Sequence, residues 1–478
     1  MKLASGLFFK SLMLVGMRVL ASGCALILTW LIARNSVQEL GIFRTLFVYF
    51  IICEWLPLLG MQAFLVREIS VHPQETKKYG FHALVFSLGV AVIGALALCG
   101  LASFGGYSTE VKDGMYVVAA GLPAMSANLV AVSILIGVGQ ATKYGMIQGC
   151  ETIVRTAAGI ACLSVGWGVI PVITAMIVAR WLVVLGYWRV IQPILSKEPR
   201  KFDVAFFRDF LRNVPTFAGI TIMAAVARFA PQTMLPWILS DTAAGQFAAA
   251  YIFIDVVMMG PTALMTNLGP VFARKAKESA TGLLDSCRQG IKTITLIVAP
   301  MVAIGSALSR PMFETIFPLS QAYAVSARVL ELIIWSCWLQ VIDMVLAITI
   351  VARGEQHIDL QSLSVGAVTL VVLLGLLLPE FGVMGAAYAM LGGILAQVGV
   401  RLILVSRRLI GLRPLELVWR AVIAAGAATV ATAYASHVHW LMGIVAGGVS
   451  YLLVLSLVGG LVRDERAAIG RFLQTGKA

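Results

Sequence analysis

The chain has 478 residues, of which 60% are hydrophobic and 12% charged, about half the charged fraction of a soluble domain. With a mean hydropathy of +0.92, this composition excludes a large water-soluble domain and predicts an all-α polytopic membrane protein. The net charge of +13 is scattered over short loops with no basic stripe, which argues against nucleic-acid binding and for the one-sided Lys and Arg excess of membrane loops.

In chain order, apolar segments run over 11–32, 41–66, 79–103, 115–138, 144–166, 169–191, 209–236, 243–270, 290–309, 326–352, 358–378, 382–405, 414–436 and 440–462. Each is about 20 residues or longer, enough to cross about 30 Å of hydrocarbon. Fourteen transmembrane helices are therefore expected. The connecting loops alternate in charge. One set holds 22 Lys and Arg, among them Lys2, Lys77, Lys78, Lys201 and Arg408; the other holds only Arg34, Lys112, Arg310 and Arg328, a total of 4. The positive-inside rule then places both termini in the cytoplasm, which an even helix count permits. Trp30, Trp167, Trp188, Trp237, Trp419 and Trp440 fall near segment ends, as interfacial aromatics do. The seven cysteines are spread singly with no C-x-x-C, so neither a disulfide framework nor a metal site is expected. His437 and His439 in one short loop are read as solvent-exposed.

The chain repeats itself weakly. Gly41 recurs as Gly245 and Pro57 as Pro261, both at a spacing of 204. Gly168 recurs as Gly382 at 214, and Gly139 as Gly354 at 215. Gly and Pro also recur by chance in apolar helices, but the shared offset favours two parallel six-helix halves. These are expected at 1–191 and 209–406, joined by the basic linker 192–208, with two further helices and a tail over 407–478. Parallel repeats with a site between them are a transporter architecture.

Six ionisable residues lie alone inside apolar runs: Arg18, Arg180 and Arg228, and Glu54, Asp255 and Asp343. A charge near the middle of a spanning helix is disfavoured by roughly 2.5–3.5 kcal/mol, and such residues by default mark a function. The arginines suit an anionic ligand, because the guanidinium stays charged and donates in a planar fork. The acids suit reversible binding of a coupling ion, H+ or Na+. The competing reading is that arginines and acids neutralise one another. Glu151 and Arg155, at i and i+4, read as a structural pair on one helix face. Pro57, Pro123, Pro215, Pro231, Pro261 and Pro300 interrupt helices, and the seventh, with two prolines inside it and Pro236 at its end, is the best candidate for a bend.

The stretch Ile32-Ala33-Arg34, followed by Glu39-Leu40-Gly41-Ile42-Phe43, resembles the junction after the first helix of polysaccharide flippases. Leu59-Gly60-Met61-Gln62-Ala63-Phe64-Leu65-Val66-Arg67-Glu68 resembles the end of that family's second helix. The family belongs to the multidrug/oligosaccharidyl-lipid/polysaccharide exporter superfamily. The resemblance implies a flippase that moves a lipid-linked, isoprenoid pyrophosphate oligosaccharide across the bacterial cytoplasmic (inner) membrane by alternating access, for surface polysaccharide synthesis. Arg18, Arg228 and Arg180 would bind its phosphates; Glu54, Asp255 and Asp343 would couple an ion. Expected partners are that glycolipid, membrane lipids, a polysaccharide polymerase and glycosyltransferases, with the flippase itself a monomer free of cofactors other than H+ or Na+. The rivals are an ion-coupled multidrug exporter or a lipid II flippase of the same fold. A membrane polymerase or ligase fits poorly, because the longest outer loops, near 104–114 and 310–325, are short and hold no Ser/His/Asp set.

Overall fold

The computed structural model describes residues 23–193, 203–212, 214–317, 321–408, 411 and 414–459. Among these there is helix and no strand. The helices are α1 (Gly23–Asn35), α2 (Val37–Trp55), α3 (Gln62–Val71), α4 (Thr76–Phe104), α5 (Thr109–Gly137), α6 (Ala141–Ser164) and α7 (Val169–Ile191). They continue as α8 (Val204–Arg212), α9 (Val214–Ile238), α10 (Asp241–Glu278), α11 (Ala280–Ala307), α12 (Ser309–Ile316), α13 (Ala324–Ile333) and α14 (Trp335–Arg353). The last four are α15 (Gln356–Phe381), α16 (Val383–Arg408), α17 (Pro414–Ser436) and α18 (Trp440–Leu457).

Eleven stretches among the described residues are long and apolar enough to cross a membrane, or 12 with α8 and α9 taken as one bent span. The 24-residue α6 and α1, which covers the described part of the first segment, complete the fourteen. The protein is thus an all-α, multi-pass membrane protein. Apolar side chains such as Ile93, Leu96, Leu182 and Leu185 stand exposed on the helices, as a bilayer allows and water does not.

Two expected single helices are broken. The segment 41–66 is α2 and α3 separated by a tight turn at Leu56–Leu58. Pro57 lacks the N–H needed to continue α2, and Leu59 and Gly60 then take left-handed conformations, φ 44° and 79°. A side chain at Gly60 would meet Thr221 Oγ1 and, at 2.8 Å, the Phe217 carbonyl of α9, so the turn packs directly on that helix. The seventh segment bends by 49° between Val204–Arg212 and Phe217–Ile238. Its first piece, α8, is amphipathic. Phe206 packs on the rings of Tyr79 and His82, both with centroids 4.9 Å away, and Phe210 packs on Phe64 and Phe86. Asp203 ties its start to α4, pairing with Lys78 Nζ at 2.9 Å while its backbone N–H donates to His82 Nε2 at 3.0 Å. Lys78 and the Phe206 N–H hold the Asp203 carboxyl below the usual aspartate range.

The chain forms two compact units dividing between Ala248 and Ala249. The first extends past the basic linker because α9 and the start of α10 pack on α2. That packing rests on Gly41 and Gly245. A Cβ on Gly41 would run into the Asp241 carbonyl, and a Cβ on Gly245 into the Val37 carbonyl. Positions 37 and 241, like 41 and 245, are 204 apart, so the contact is symmetric about the repeat. The remaining repeat glycines serve turns: Gly139, Gly354, Gly168 and Gly382 all have positive φ, between 57° and 78–79°. In the second unit, an alanine seam of Ala299, Ala303, Ala421, Ala424 and Ala428 packs α11 on α17, and Tyr451 of α18 donates to the Leu296 carbonyl at 3.2 Å.

Gly41→Ala should lower stability by about 1–3 kcal/mol, the usual penalty for forcing atoms into a close-packed contact. Gly89→Ala, where nothing lies within 4 Å, should leave the thermal midpoint unchanged or raise it. Equal midpoints for wild type and Gly41→Ala in detergent would show that the crossing is not tight.

Candidate functional site

The buried charges gather into two networks, one in each unit. In the first, Arg180 of α7 is 1% exposed. Its guanidinium pairs with Glu54 of α2, and Nη2 lies 3.1 Å from Glu151 Oε1 of α6. Both oxygens of Glu151 are buried and accept no hydrogen bond, so that second contact is Coulombic. Arg180 also sits over the Phe50 ring, with Cζ 5.5 Å from the centroid. One residue per helix therefore clamps α2, α6 and α7. Glu151 makes no ion pair within 4.0 Å with Arg155 on its own helix, but the two charges interact electrostatically across their i, i+4 spacing. Arg180 from the neighbouring helix approaches the carboxylate more closely, and Arg155 also lies over Phe50, its Cζ 5.6 Å from the ring centroid.

The second network centres on Arg401 of α16, also 1% exposed. Its Nη1 lies 2.5 Å from Asp343 Oδ2 of α14, its Nη2 pairs with Asp359 Oδ1 of α15, and its Nε donates to Ser362 Oγ at 3.0 Å. Gln397 Nε2 donates to Asp343 Oδ2 at 2.8 Å. Asp343 Oδ1 is buried with no hydrogen-bond partner. Sequence reasoning singled out Asp343 and missed Arg401, Asp359 and Gln397. Arg401 stands four residues before the end of its apolar segment and Asp359 at the start of its own, where ionisable residues pass for helix-end charges. The repeat offset held a further signal. Shifts of 215, 215 and 214 set Asp343, Asp359 and Arg401 opposite Asn128, Tyr144 and Tyr187. One half fills these positions with an ion network and the other with neutral polar groups. Of those, Asn128 Oδ1 and Tyr187 Oη are buried without a hydrogen-bond partner.

The other expected site residues stand apart in kind. Arg18 lies outside the described residues. Arg228 of α9 is exposed, its guanidinium 5.6 Å from the Phe229 ring, and Phe229 packs edge-on against Trp55 at the end of α2. Asp255 is half-buried on α10. Glu54 keeps 28% of its side chain exposed while bound to Arg180. Among the described residues no group of three His, Cys, Asp or Glu could hold a metal ion. His439 caps α18, its Nδ1 accepting from the Leu441 N–H.

Residues 28–327 match the profile of a family described as polysaccharide biosynthesis protein. No curated protein sequence matches the chain. Among solved structures, the lipid II flippase MurJ in an inward closed conformation superposes with a TM-score of 0.76 at 14% identity, covering 94% of this chain and 98% of that one. An inward-facing multidrug resistance MATE family transporter of the MOP superfamily gives 0.67 at 14% identity, with 80% and 93% covered. A MOP superfamily transporter from Pyrococcus furiosus, whose binding pocket is described as reversed in polarity, gives 0.60 at 15% identity, with 87% and 94% covered. At these identities the likeness is one of fold.

Arg180→Met should destabilise the protein by about 3–5 kcal/mol, because it leaves two carboxylates facing each other without a cation. Adding Glu54→Gln and Glu151→Gln should recover most of that loss. A thermal midpoint for Arg180→Met equal to wild type would mean that the cluster does not hold the three helices together.

Proposed function

The chain belongs to the polysaccharide biosynthesis protein family, and on that footing we propose that it is a flippase for a lipid-linked, isoprenoid pyrophosphate oligosaccharide in the bacterial cytoplasmic membrane. The observation that carries this reading is the family match over residues 28–327, which covers most of the expected first half and more than half of the second. The chemistry supports it. A pyrophosphoryl sugar head is polar and anionic, and its tail can stay in lipid. Moving the head needs a few cations facing a hydrated path rather than a catalytic set. Arg228, exposed on an otherwise apolar helix, suits that role, with Arg18 beside it in the proposal. Arg180 suits it less, since Glu54 and Glu151 already meet its charge.

Alternating access requires a contact that opens and closes. In the first unit, the middle of α2 is tied to the end of α9 away from the basic loops by Tyr49, whose hydroxyl lies 2.6 Å from that of Tyr107, and by Tyr107, which donates to the Thr233 carbonyl at 3.1 Å. The Gly41–Gly245 crossing lies at the same end. We assign release of the head group to parting of these contacts. Coupling falls to H+ or Na+ at Asp343, whose unpartnered Oδ1 is the acceptor such an ion needs.

Arg18→Ala and Arg228→Ala should each abolish surface polysaccharide in a flippase-deficient strain supplied with the matching glycolipid, with normal amounts of protein in the membrane. Normal export by both variants would sink the phosphate role. In vesicles, a proton or sodium gradient should drive glycolipid translocation, and Asp343→Asn should abolish the dependence. Transport indifferent to both gradients would make Asp343 purely structural.

A further inference from the structure

Six tryptophans fall near the ends of apolar segments, but Trp55 does not. It stands near the middle of the segment 41–66, as the last residue of α2 before the turn at Leu56–Leu58. Trp55 is 43% exposed, and its indole N–H donates to no atom among the described residues. Tryptophan ordinarily collects at the two membrane interfaces, where that N–H meets water or headgroups. At mid-span, hydrocarbon would leave the donor unsatisfied.

The surroundings of Trp55 are polar and accessible. Glu54, beside it on α2, is held by Arg180 through Oε1 and keeps 28% of its side chain exposed, which leaves Oε2 to a ligand. Phe229 of α9 meets the indole with ring centroids 5.6 Å apart and planes at 60°. Arg228, the preceding residue, is exposed, with its Cζ 5.6 Å from the Phe229 centroid. These residues all belong to the first unit. An aromatic face, a carboxylate oxygen and a guanidinium thus lie along one run of contacts. A surface meant for hydrocarbon would carry neither charge.

We propose that Trp55 is a sugar platform: the exposed face of its indole stacks on the first sugar ring of the lipid-linked oligosaccharide, Glu54 Oε2 accepts from that ring's hydroxyls, and Arg228 meets the pyrophosphate. The inference rests on the flippase reading. The C–H groups on one face of a pyranose pack on the electron-rich face of an aromatic ring. The hydroxyls project from the ring's rim, where a carboxylate accepts from them. The first sugar is bonded directly to the pyrophosphate, so the groups that recognise the two must be neighbours, as Trp55 and Arg228 are through Phe229. An acyl or isoprenyl chain could cover the indole but has no hydrogen to donate to Glu54. Stacking reads ring shape rather than hydroxyl pattern, so the platform accepts more than one pyranose.

The test titrates the full chain in lipid nanodiscs with polyprenyl pyrophosphate carrying no sugar, N-acetylglucosamine or galactose. The wild type should bind each glycosylated lipid about tenfold more tightly than the bare one. Trp55→Leu should erase that preference and leave affinity for the bare lipid unchanged, while Trp55→Phe, which restores a ring, should recover part of it. Arg228→Ala should weaken all three lipids alike and leave the preference intact. Equal binding of bare and glycosylated lipids by the wild type, or a preference that survives Trp55→Leu, would overturn the platform and leave the flippase reading standing. Loss of bare-lipid binding in both Trp55→Leu and Trp55→Phe would also overturn it, because Trp55 would then serve only to pack on Phe229. A wild type that binds none of the three lipids would overturn the platform and the flippase reading together.

Discussion

Arg180 and Arg401 each carry a charge into helices whose surroundings are hydrocarbon and packed side chains, and each is met by two carboxylates from neighbouring helices. No water in a bilayer core could do the same work. Three helices are thereby committed to one arrangement in each unit: α2, α6 and α7 in the first, α14, α15 and α16 in the second. Apolar packing alone would be a weak organiser here, since lipid tails are as apolar as leucine. Ionic clamps and close glycine contacts supply the specificity that the hydrophobic effect supplies in water.

The two clamps are not copies. Arg401 falls opposite Tyr187 in the repeat, and Arg180 stands seven residues, or about two helical turns, before Tyr187 on α7. Each half thus carries its charge at a different depth. The half without an ion network at that position keeps a buried hydroxyl there with no hydrogen-bond partner. A duplicated scaffold allows this divergence, because each clamp is completed by three neighbouring helices.

Glycine carries the other half of the specificity. Gly41 and Gly245 let two helix starts meet backbone to backbone, and Gly60 lets the broken second segment rest on α9. These contacts are made by backbone, with the buried Asp241 carboxylate at the Gly41 crossing. Separating Arg180 from Glu54 and Glu151 would leave three charges in hydrocarbon. The arginine clusters are therefore the contacts most costly to part.

Segment count and the family were legible in the chain because each depends on local pattern: about 20 apolar residues per span, and a short motif over residues 30–68. The arginines and acids were also visible as misfits in apolar runs. Which acid meets which arginine was not. Glu151 sits four residues from Arg155 and interacts with it, yet its closest cation is Arg180, 29 positions away. Arg401 and Asp359 looked like ordinary helix ends until α14, α15 and α16 came together. Hydropathy and spacing, which the sequence determined alone, report how one helix meets lipid. Only the tertiary structure decided the charge partners and the unpaired Tyr187 hydroxyl, because both follow from how one helix is rotated against its neighbours.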